Sequence, residues 1–296
     1  IGLCSGKISQ SFGAKKIKRE LEIPDHTVAF QEMIKALMDP EQGLISSLSE
    51  IEAIGHRVVH GGEQYSSSVV INDDVFKAIE LNCELAPLHN PANLIGISES
   101  AKIFPGVKQV AVFDTAFHQT MPPSAYLYGI PREFYEKYRI RRYGFHGTSH
   151  RYVHGIALEM MKRAEENTNM ITCHLGNGAS ITAIQSGKSI DTSMGFTPLE
   201  GLMMGTRSGD LDPSIIFYLE ERGYDFHELH NILNKKSGLL GLSGISSDLR
   251  DLEEAAAAGN EVAQEALETY AYRIRRYIGA YVANLIKVDF IVFTGG

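Results

Sequence analysis

Along this chain the spacing of hydrophobic residues alternates between the two-residue period of strands and the longer period of helices. Residues 1–24 alternate polar and apolar positions, which predicts hairpin strands, and residues 26–38 have helical spacing that stops at Asp39–Pro40. Asn90 is predicted to cap a helix that begins at Pro91. The remaining elements predicted for this part are a strand at AIGHRVV, a helix from about residue 73, and a strand at VKQVAVFD that ends at Asp114.

In its second half the chain adds a run of consecutive strands to this alternation. Thr148 is predicted to cap a helix over residues 149–166, with Val153, Ile156, Ala157 and Met160 on its buried face. The segments MITCHLG, ASITAIQ and KSIDTSM predict three strands joined by tight turns. Helices are then predicted from Pro213, from about Phe226, over 247–258 and over 261–286, before a last strand at VDFIVF.

Strands that alternate with helices predict an α/β fold with a mostly parallel sheet, in which ligands collect at the carboxyl ends of strands. Two polar residues lie at such ends. Asp114 closes the strand VKQVAVFD, and Arg57 lies on a strand just before the glycine pair Gly61–Gly62. The pattern therefore places both residues where a ligand is expected.

Composition narrows the class of protein. The 296 residues are enough for two domains, and 44% hydrophobic with 22% charged residues is typical of a globular protein. The formal net charge of -8 argues against a general nucleic-acid binder. Three separated cysteines, with no CxxC spacing, indicate a reducing cytoplasm rather than a disulfide framework or zinc ribbon.

The chain also lacks a long apolar run and has unusual ends. No run approaches the roughly 20 apolar residues needed to cross a bilayer, so no membrane association is expected. The sequence has no initiator methionine and stops at VDFIVFTGG, a strand entering a glycine turn. We interpret it as a fragment truncated at both ends.

The hairpin HLGNGAS, residues 174–180, places two glycines around Asn177 between predicted strands. Backbone N–H groups in such a turn can converge on an anion, with no side chain to block a phosphate. Asn-Gly alone also favours an ordinary type I′ hairpin, and by itself the motif favours this second interpretation.

Two arginines are candidates for binding an anionic substrate. Arg207, in MGTRSGDLDPS, is either a guanidinium that closes on oxyanions or a loop arginine paired with Asp210 or Asp212. Arg57, in an apolar strand, needs a partner once buried, and a carboxylate ligand would supply one. Val59 is expected on the same face as Arg57, where it would form an apolar wall suited to a short-chain acid.

Asp114 and the histidines of RRYGFHGTSHRYVH each have several interpretations. Asp114 could hold a metal, orient water, act as a base, or cap the following turn. HGTSH lacks the glutamate of HExxH, and the predicted helix start separates His146 from His150 and His154. Hydrogen-bonded packing is therefore expected for His150 and His154, whereas His146 lies at a helix N-terminus, a natural anion position.

Seven motifs in this order carry a family resemblance: GHRVVHGGE, APLHNPANL, VFDTAFH, YGFHGTSH, HLGNGAS, MGFTPLEGLMMGTRSGDLDP and IVFTGG. Together they resemble the acetate, propionate and butyrate kinase group over essentially the whole chain. The resemblance implies an α/β fold of the actin-like and sugar-kinase type, with two ribonuclease-H-like lobes around a nucleotide cleft. Both lobes are expected to be incomplete, with residues 1–115 forming the N-terminal lobe and part of the acid site. Residues 116–296 would form the second lobe, with the phosphate-binding hairpin and the dimer surface.

The resemblance also implies roles for individual positions. Arg57 and Arg207 match the pair that holds the acid and the transferring phosphoryl group, Asp114 the essential acidic residue, and His146 a histidine that stabilises the transition state. The positions matching the phosphate loop are His174, Leu175, Gly176, Asn177 and Gly178. Those matching the nucleotide contacts are Leu249, Arg250 and Asp251. Those matching the pocket for the acid's methyl group are Val59, Leu88, Phe145 and Pro198.

The implied reaction is the reversible transfer of the ATP γ-phosphoryl group to acetate, giving acetyl phosphate and ADP, with Mg²⁺ and in a cytoplasmic homodimer. At pH 7 the acid is already an anion, so no base is needed, and Asp114 is expected to orient Mg²⁺ or an arginine. The family's metal-linked Asn and Glu have no counterpart here, so little activity is expected. A propionate kinase, a non-catalytic actin-like ATP-binding module and a histidine-metal hydrolase remain the alternatives.

Overall fold

The computed structural model of the chain describes residues 3–12, 15–86 and 89–295, which form two compact units, Ile1–Phe113 and Asp114–Gly296. The predicted functional boundary after residue 115 stays a prediction. In the first unit the elements are β1 (Leu3–Phe12), β2 (Lys15–Ile23), α1 (His26–Leu37), β3 (Ala53–Val58), β4 (Val69–Val70), α2 (Asp73–Leu81), α3 (Asn90–Ile103) and β5 (Lys108–Phe113).

The first unit confirms most of the predicted elements. β1 and β2 form the predicted antiparallel hairpin. β3 pairs in parallel with β5, so the carboxyl ends of the two strands lie at the same edge of the sheet. Candidate residues follow both of these ends in the sequence. β4 joins β5 on its other side in antiparallel orientation.

The cap predicted at Asn90 is wrong. His89 takes the cap position without a side-chain capping hydrogen bond, and Asn90 is the first helical residue. The buried Asn90 amide instead accepts from the His60 N–H at 3.1 Å, and donates to the carbonyls of His60 and Ile79 at 3.0 and 3.1 Å. The side chain thus fixes the segment that leaves β3, a tertiary role that local spacing does not reveal.

The second unit is built around a mixed sheet. Its elements are α4 (Pro123–Tyr126), α5 (Arg132–Tyr138), α6 (Gly147–Met161), β6 (Asn169–Leu175), β7 (Ala179–Gln185), β8 (Lys188–Thr192), α7 (Ser214–Glu220), α8 (Phe226–Lys235), α9 (Gly238–Ser243), α10 (Leu249–Ala257), α11 (Glu261–Leu285) and β9 (Phe290–Thr294). In the described residues the strand order is β8-β7-β6-β9, and only β9 runs parallel to its neighbour. The expectation of a mostly parallel sheet is therefore wrong here, because the meander supplies three antiparallel strands.

The predicted start and buried face of α6 also need correction. The helix begins at Gly147 with His146 at the cap position, and it ends at Met161 rather than at 166. Its buried residues are Gly147, His150 and His154, whereas Ile156 and Met160 are 38% and 76% exposed. This face is polar because Thr172 of β6 and Ser180 of β7 supply hydrogen-bonding partners to His150.

An apolar cluster packs α9, α10 and α11 together. It contains the buried residues Met203, Leu239, Leu252, Ala263, Ala266 and Tyr270. Small residues on α11, Ala263 and Ala266, let α10 approach closely. No helix in the described ranges is long and apolar enough to cross a membrane.

Candidate active site

The β6–β7 hairpin forms the centre of the candidate site in the second unit. Leu175 pairs with Ala179, which leaves residues 176–178 as the loop. Neither Asn177 nor Gly178, the Asn-Gly pair expected at the centre of a type I′ turn, has the left-handed backbone that both central residues of this turn require. The predicted type I′ geometry is therefore wrong, whereas the binding of an anion by this loop stays a prediction.

Arg207 and His146 converge on this loop. A Cβ atom placed on Gly178 would lie 3.5 Å from Arg207 Nη1 and 3.5 Å from both Cε1 and Nε2 of His146. The glycine therefore leaves a small space in front of both a guanidinium and an imidazole. Two such groups beside an uncovered backbone form a site that can bind an anion.

Arg207 is held by its own loop rather than by an acid. Its Nη1 donates to the Pro198 carbonyl at 3.3 Å and approaches the Met204 sulfur at 3.7 Å. Burial lowers the pKa of the Arg207 guanidinium, and no carboxylate pairs with it among the described residues. The predicted alternatives, Asp210 and Asp212, instead accept from the backbone of Gly201 and Ser214. A half-buried arginine without a carboxylate partner is suited to an anionic ligand.

His146 takes the cap position of α6 with a left-handed backbone, φ 58°. Its Nδ1 lies 2.9 Å from Ser180 Oγ, and its ring lies 4.3 Å from that of His174. His174 Nδ1 in turn lies 2.9 Å from Ser149 Oγ. The structure thus brings His146, His174 and the hairpin together, as the motifs suggested, but at a helix start two residues earlier than predicted.

Asp114 lies beside the same helix start. It is 2% exposed, its carbonyl accepts from the Gly147 N–H at 2.9 Å, and its carboxylate lies 3.5 Å from Thr148 Oγ1. A Cβ on Gly147 would lie 2.3 Å from the Asp114 carbonyl oxygen, so only glycine permits this approach. Asp114 therefore has a fixed position at the N-terminus of α6.

A pocket of about 520 Å³ opens on the other side of the hairpin. Of the predicted residues, Leu175, Gly176, Asn177, Leu249 and Arg250 line it. Asp251 does not, because its carboxylate accepts from Ser246 Oγ at 2.6 Å. The lining also includes residues that the sequence analysis missed: Gly205, Leu239, Ser247, Asp248, Glu253 and Tyr270.

Two backbone details explain part of this lining. A Cβ on Gly205 would lie 2.0 Å from Asn177 Oδ1, so Gly205 must be glycine for Asn177 to keep its position. Asp248 caps α10 and pairs with Arg250 at 2.6 Å, and this hydrogen bond lowers the pKa of Asp248 to about 2.

The residues predicted for the acid pocket are not all described. Leu88 lies outside the described residues. In the first unit Val59 is buried, but Arg57 is exposed on β3. The expectation that Arg57 is buried and therefore needs a ligand as its partner is wrong. In the second unit Phe145 is buried and its carbonyl lies 2.9 Å from His118 Nε2. Pro198 contributes the carbonyl that receives Arg207.

The three histidines of the evenly spaced series have different surroundings. His146 contacts the hairpin, His150 lies between Thr172 and Ser180, and His154 Nδ1 lies 3.7 Å from Glu165. Packing through hydrogen bonds is confirmed for His150 but is wrong for His154, whose buried Nε2 has no hydrogen-bonding partner in the described structure. Among the residues described, no group of three His, Cys, Asp or Glu side chains is placed to hold a metal ion.

A glycine-rich hairpin, a guanidinium, an imidazole and an adjacent pocket within an α/β fold suit an enzyme that handles phosphate groups. The family model described as the Acetokinase family matches residues 3–296, and this chain belongs to that family. It is 58% identical over 285 residues to the acetate kinase of Natranaerobius thermophilus, an alignment that covers 96% of this chain and 72% of that protein.

Solved structures agree with this membership. The crystal structure of Porphyromonas gingivalis acetate kinase matches with a TM-score of 0.94 at 49% identity, covering all of this chain and 75% of that one. A propionate kinase from Francisella tularensis matches with a TM-score of 0.93 at 46% identity over the same shares. The predicted α/β fold of the actin-like and sugar-kinase type is confirmed.

Proposed function

We infer that this protein is a carboxylate kinase that reversibly transfers the γ-phosphoryl group of ATP to acetate, giving acetyl phosphate and ADP. The observation that carries the assignment is the convergence of Arg207 and His146 on Gly178, at the tip of a hairpin that also lines a pocket. Both reactants are anions, so the transfer depends on groups that neutralise and orient them.

Arg207 and His146 would act on the transferring group. Charge in phosphoryl transfer is spread over the three equatorial oxygens, and preformed N–H donors stabilise it. The Arg207 guanidinium supplies charge and two donors, and His146 supplies an N–H beside Gly178. Since acetate is ionised at pH 7, no side chain has to remove its proton.

The pocket beside the hairpin suits the rest of ATP. Residues Leu175, Gly176 and Asn177 lie between this pocket and Gly178, which would place the phosphates along the hairpin and the nucleoside beside α10. We assign His174, Gly178, Leu249, Arg250 and Asp251 to the same nucleotide site. Asp251 would act through the loop that carries Ser246, because it does not line the pocket.

Mg²⁺ fits one position of this site. Mg²⁺ in phosphoryl-transfer enzymes keeps several waters and is bound by one or two carboxylates plus the phosphates of the substrate. Asp114 offers a buried carboxylate that lies 3.5 Å from the Thr148 hydroxyl. We propose that Asp114 orients Mg²⁺, directly or through water, or holds an arginine in place. When bound, Mg²⁺ would neutralise charge on the phosphate oxygens.

We assign the acid to Arg57, Val59, Leu88, Phe145 and Pro198, following the motif match. Arg57 would hold the carboxylate, and the other four would enclose the methyl group. A valine at position 59 leaves less room than alanine, which favours acetate over propionate. One methylene is worth only about 1 to 3 kcal/mol of discrimination, so propionate should be a slower substrate.

Propionate kinase is the second candidate, because a propionate kinase structure matches this chain with a TM-score of 0.93. Acyl phosphate is trapped by hydroxylamine, so the test incubates the protein with ATP, Mg²⁺ and acetate, propionate or butyrate. A higher kcat/KM for acetate supports the assignment, and a higher value for propionate favours the alternative. ATP hydrolysis at a rate independent of the added acid, with no acyl phosphate formed, would overturn both the acetate kinase and the propionate kinase assignments.

We also propose that the protein works as a homodimer in the cytoplasm. Support comes from family membership and from Cys83 and Cys173, both free thiols; burial raises the pKa of Cys173 to about 12, which keeps that thiol unreactive. Light scattering during gel filtration measures the mass. A mass near 33 kDa, that of one chain, would contradict the dimer.

A further inference from the structure

A chain of hydrogen bonds runs from the interior of the second unit to His146. Thr172 Oγ1 lies 2.7 Å from His150 Nδ1, His150 Nε2 lies 2.7 Å from Ser180 Oγ, and Ser180 Oγ lies 2.9 Å from His146 Nδ1. Thr172, His150 and Ser180 are fully buried. The other ring nitrogen of His146, Nε2, lies near Gly178 and thus on the side that Arg207 also faces.

Counting protons leaves two possible directions for this chain. Burial lowers the pKa of His150 well below its ordinary value, so the ring is neutral and carries one N–H. In one direction Thr172 donates to His150, His150 Nε2 donates to Ser180, and Ser180 donates to His146. In the reverse direction His146 Nδ1 donates to Ser180, Ser180 to His150, and His150 to Thr172.

The Thr172 hydroxyl decides between the two directions. In the described structure, His150 is the hydrogen-bonding partner of Thr172 Oγ1. In the reverse direction the Thr172 hydroxyl proton would be buried without an acceptor, at the cost of an unsatisfied donor. In the first direction each hydroxyl proton in the chain has an acceptor. The first direction therefore has the lower free energy.

We propose that Ser180 and His150 are positioning residues that hold His146 in the tautomer with its proton on Nε2. Ser180 donates to His146 Nδ1, which must then be unprotonated, and the ring proton is left on the nitrogen near Arg207 and Gly178. This inference rests on the proposed role of His146 as a donor to the phosphoryl group. It extends the candidate site by two buried side chains that do not touch the substrate.

A second serine–histidine pair in the same sheet offers a matched control. His118 Nδ1 lies 2.9 Å from Ser189 Oγ, and its Nε2 lies 2.9 Å from the Phe145 carbonyl. A carbonyl can only accept, so His118 Nε2 carries the proton and Ser189 donates to Nδ1. Ser189 is as buried as Ser180, but its hydroxyl bonds to His118 rather than to His146.

The test records ¹⁵N spectra of the histidine rings, because the chemical shift of a ring nitrogen reports whether it carries a proton. In the wild type we expect His146 as a single tautomer, unprotonated at Nδ1. In Ser180→Ala we expect averaged shifts for His146 and a kcat lower by about 10- to 100-fold, the range typical of lost supporting hydrogen bonds. KM values for ATP and acetate should change less, and Ser189→Ala should leave the His146 signals and kcat unchanged.

Three results would overturn the proposal or separate it from the proposed function. A His146 proton on Nδ1 in the wild type refutes the proposed tautomer. This result needs no variant, so the proposal can be tested even if Ser180→Ala folds poorly. Identical His146 spectra and kcat in Ser180→Ala and Ser189→Ala also refute it. A wild-type protein with the expected tautomer but without acetyl phosphate formation would overturn the proposed function and leave the inference on the tautomer intact.

Discussion

Replacing Glu200 with Gln should destabilise the protein, because Glu200 neutralises a buried arginine. Arg142 Nη2 donates to Glu200 Oε1 at 2.5 Å, and its Nη1 donates to backbone carbonyls of residues 192–194. The second carboxylate oxygen accepts from Tyr128, whose hydroxyl accepts from the Phe196 N–H. Burial alone would lower the pKa of Arg142, but Glu200 and its other acidic neighbours raise it overall. The guanidinium therefore stays charged when its partner is neutralised.

The expected cost follows from these contacts. Removing one partner of a buried ion pair costs about 3 to 5 kcal/mol, and the 17% and 29% exposure of these two side chains reduces that through solvent screening. Glutamine can still accept from Arg142, but its NH₂ group then faces Tyr128 and leaves the phenol proton without an acceptor. We expect a loss of about 2 to 4 kcal/mol. If the 296 residues unfold in one transition, about 3 kcal/mol lowers Tm by roughly 5 °C.

Scanning calorimetry and urea unfolding measure this loss, and Glu136→Gln is the matched control. Glu136 pairs with Arg132 at 3.1 Å on the surface of α5, where the two side chains are 63% and 72% exposed. An exposed pair of this kind contributes about 0.3 to 0.5 kcal/mol. If Glu200→Gln and Glu136→Gln change the free energy of unfolding equally, the reasoning about the buried pair is wrong.

Four further predictions concern the site and its histidines. Arg207→Ala should lower kcat by about 10²-fold or more, as for a lost oxyanion donor, and an unchanged kcat would exclude the proposed role. Arg57→Ala should mainly raise the KM for acetate, so an unchanged KM would contradict its assignment to the acid. Asp114→Asn should lower kcat and flatten the Mg²⁺ dependence, and a normal Mg²⁺ response would argue against its proposed role. Acid should destabilise the protein: burial lowers the pKa of His118 to about 4, below its unfolded value of 6.5, and that of His150 also falls. Below pH 6.5 the unfolded chain binds protons that the buried rings of the folded chain do not bind, so the free energy of unfolding falls between about pH 6.5 and 4. Urea unfolding at pH 7.5, 6 and 5 checks this, and a flat profile would refute it.

The sequence predicted elements well where hydrophobic period and turn residues agreed. The meander of β6, β7 and β8 and the long helix α11 follow the predicted boundaries within a few residues. The short helices α4, α5 and α9 were missed, since segments of four to seven residues give too few turns for a helical period to be recognised. Parallel pairing of β9 with β6 depends on contacts far apart in sequence, which local patterns do not contain.

The site residues were predictable to different degrees. The glycine pair of HLGNGAS signalled the position of the loop directly, as Gly178 shows. The pocket residues Tyr270 and Leu239 carry no such signal, because their side chains reach the pocket from helices whose packing is decided by the whole unit. The exposure of Arg57 was not predicted either. Alternation along a strand shows that successive side chains point to opposite faces, but it does not show which face is covered by the rest of the protein.

The buried face of α6 shows why an amphipathic pattern can mislead near an active site. Apolar spacing assigned Val153, Ile156 and Met160 to the core, yet the helix buries His150 and His154 instead. Histidines can be buried when partners satisfy their ring nitrogens, and β6 and β7 supply Thr172 and Ser180 to His150. A helix that packs its polar face on a strand of threonine and serine can carry hydrogen bonds from the interior to its first turn, where His146 lies. The even spacing of the three histidines thus follows from this polar face, with His146 at its end nearest the hairpin.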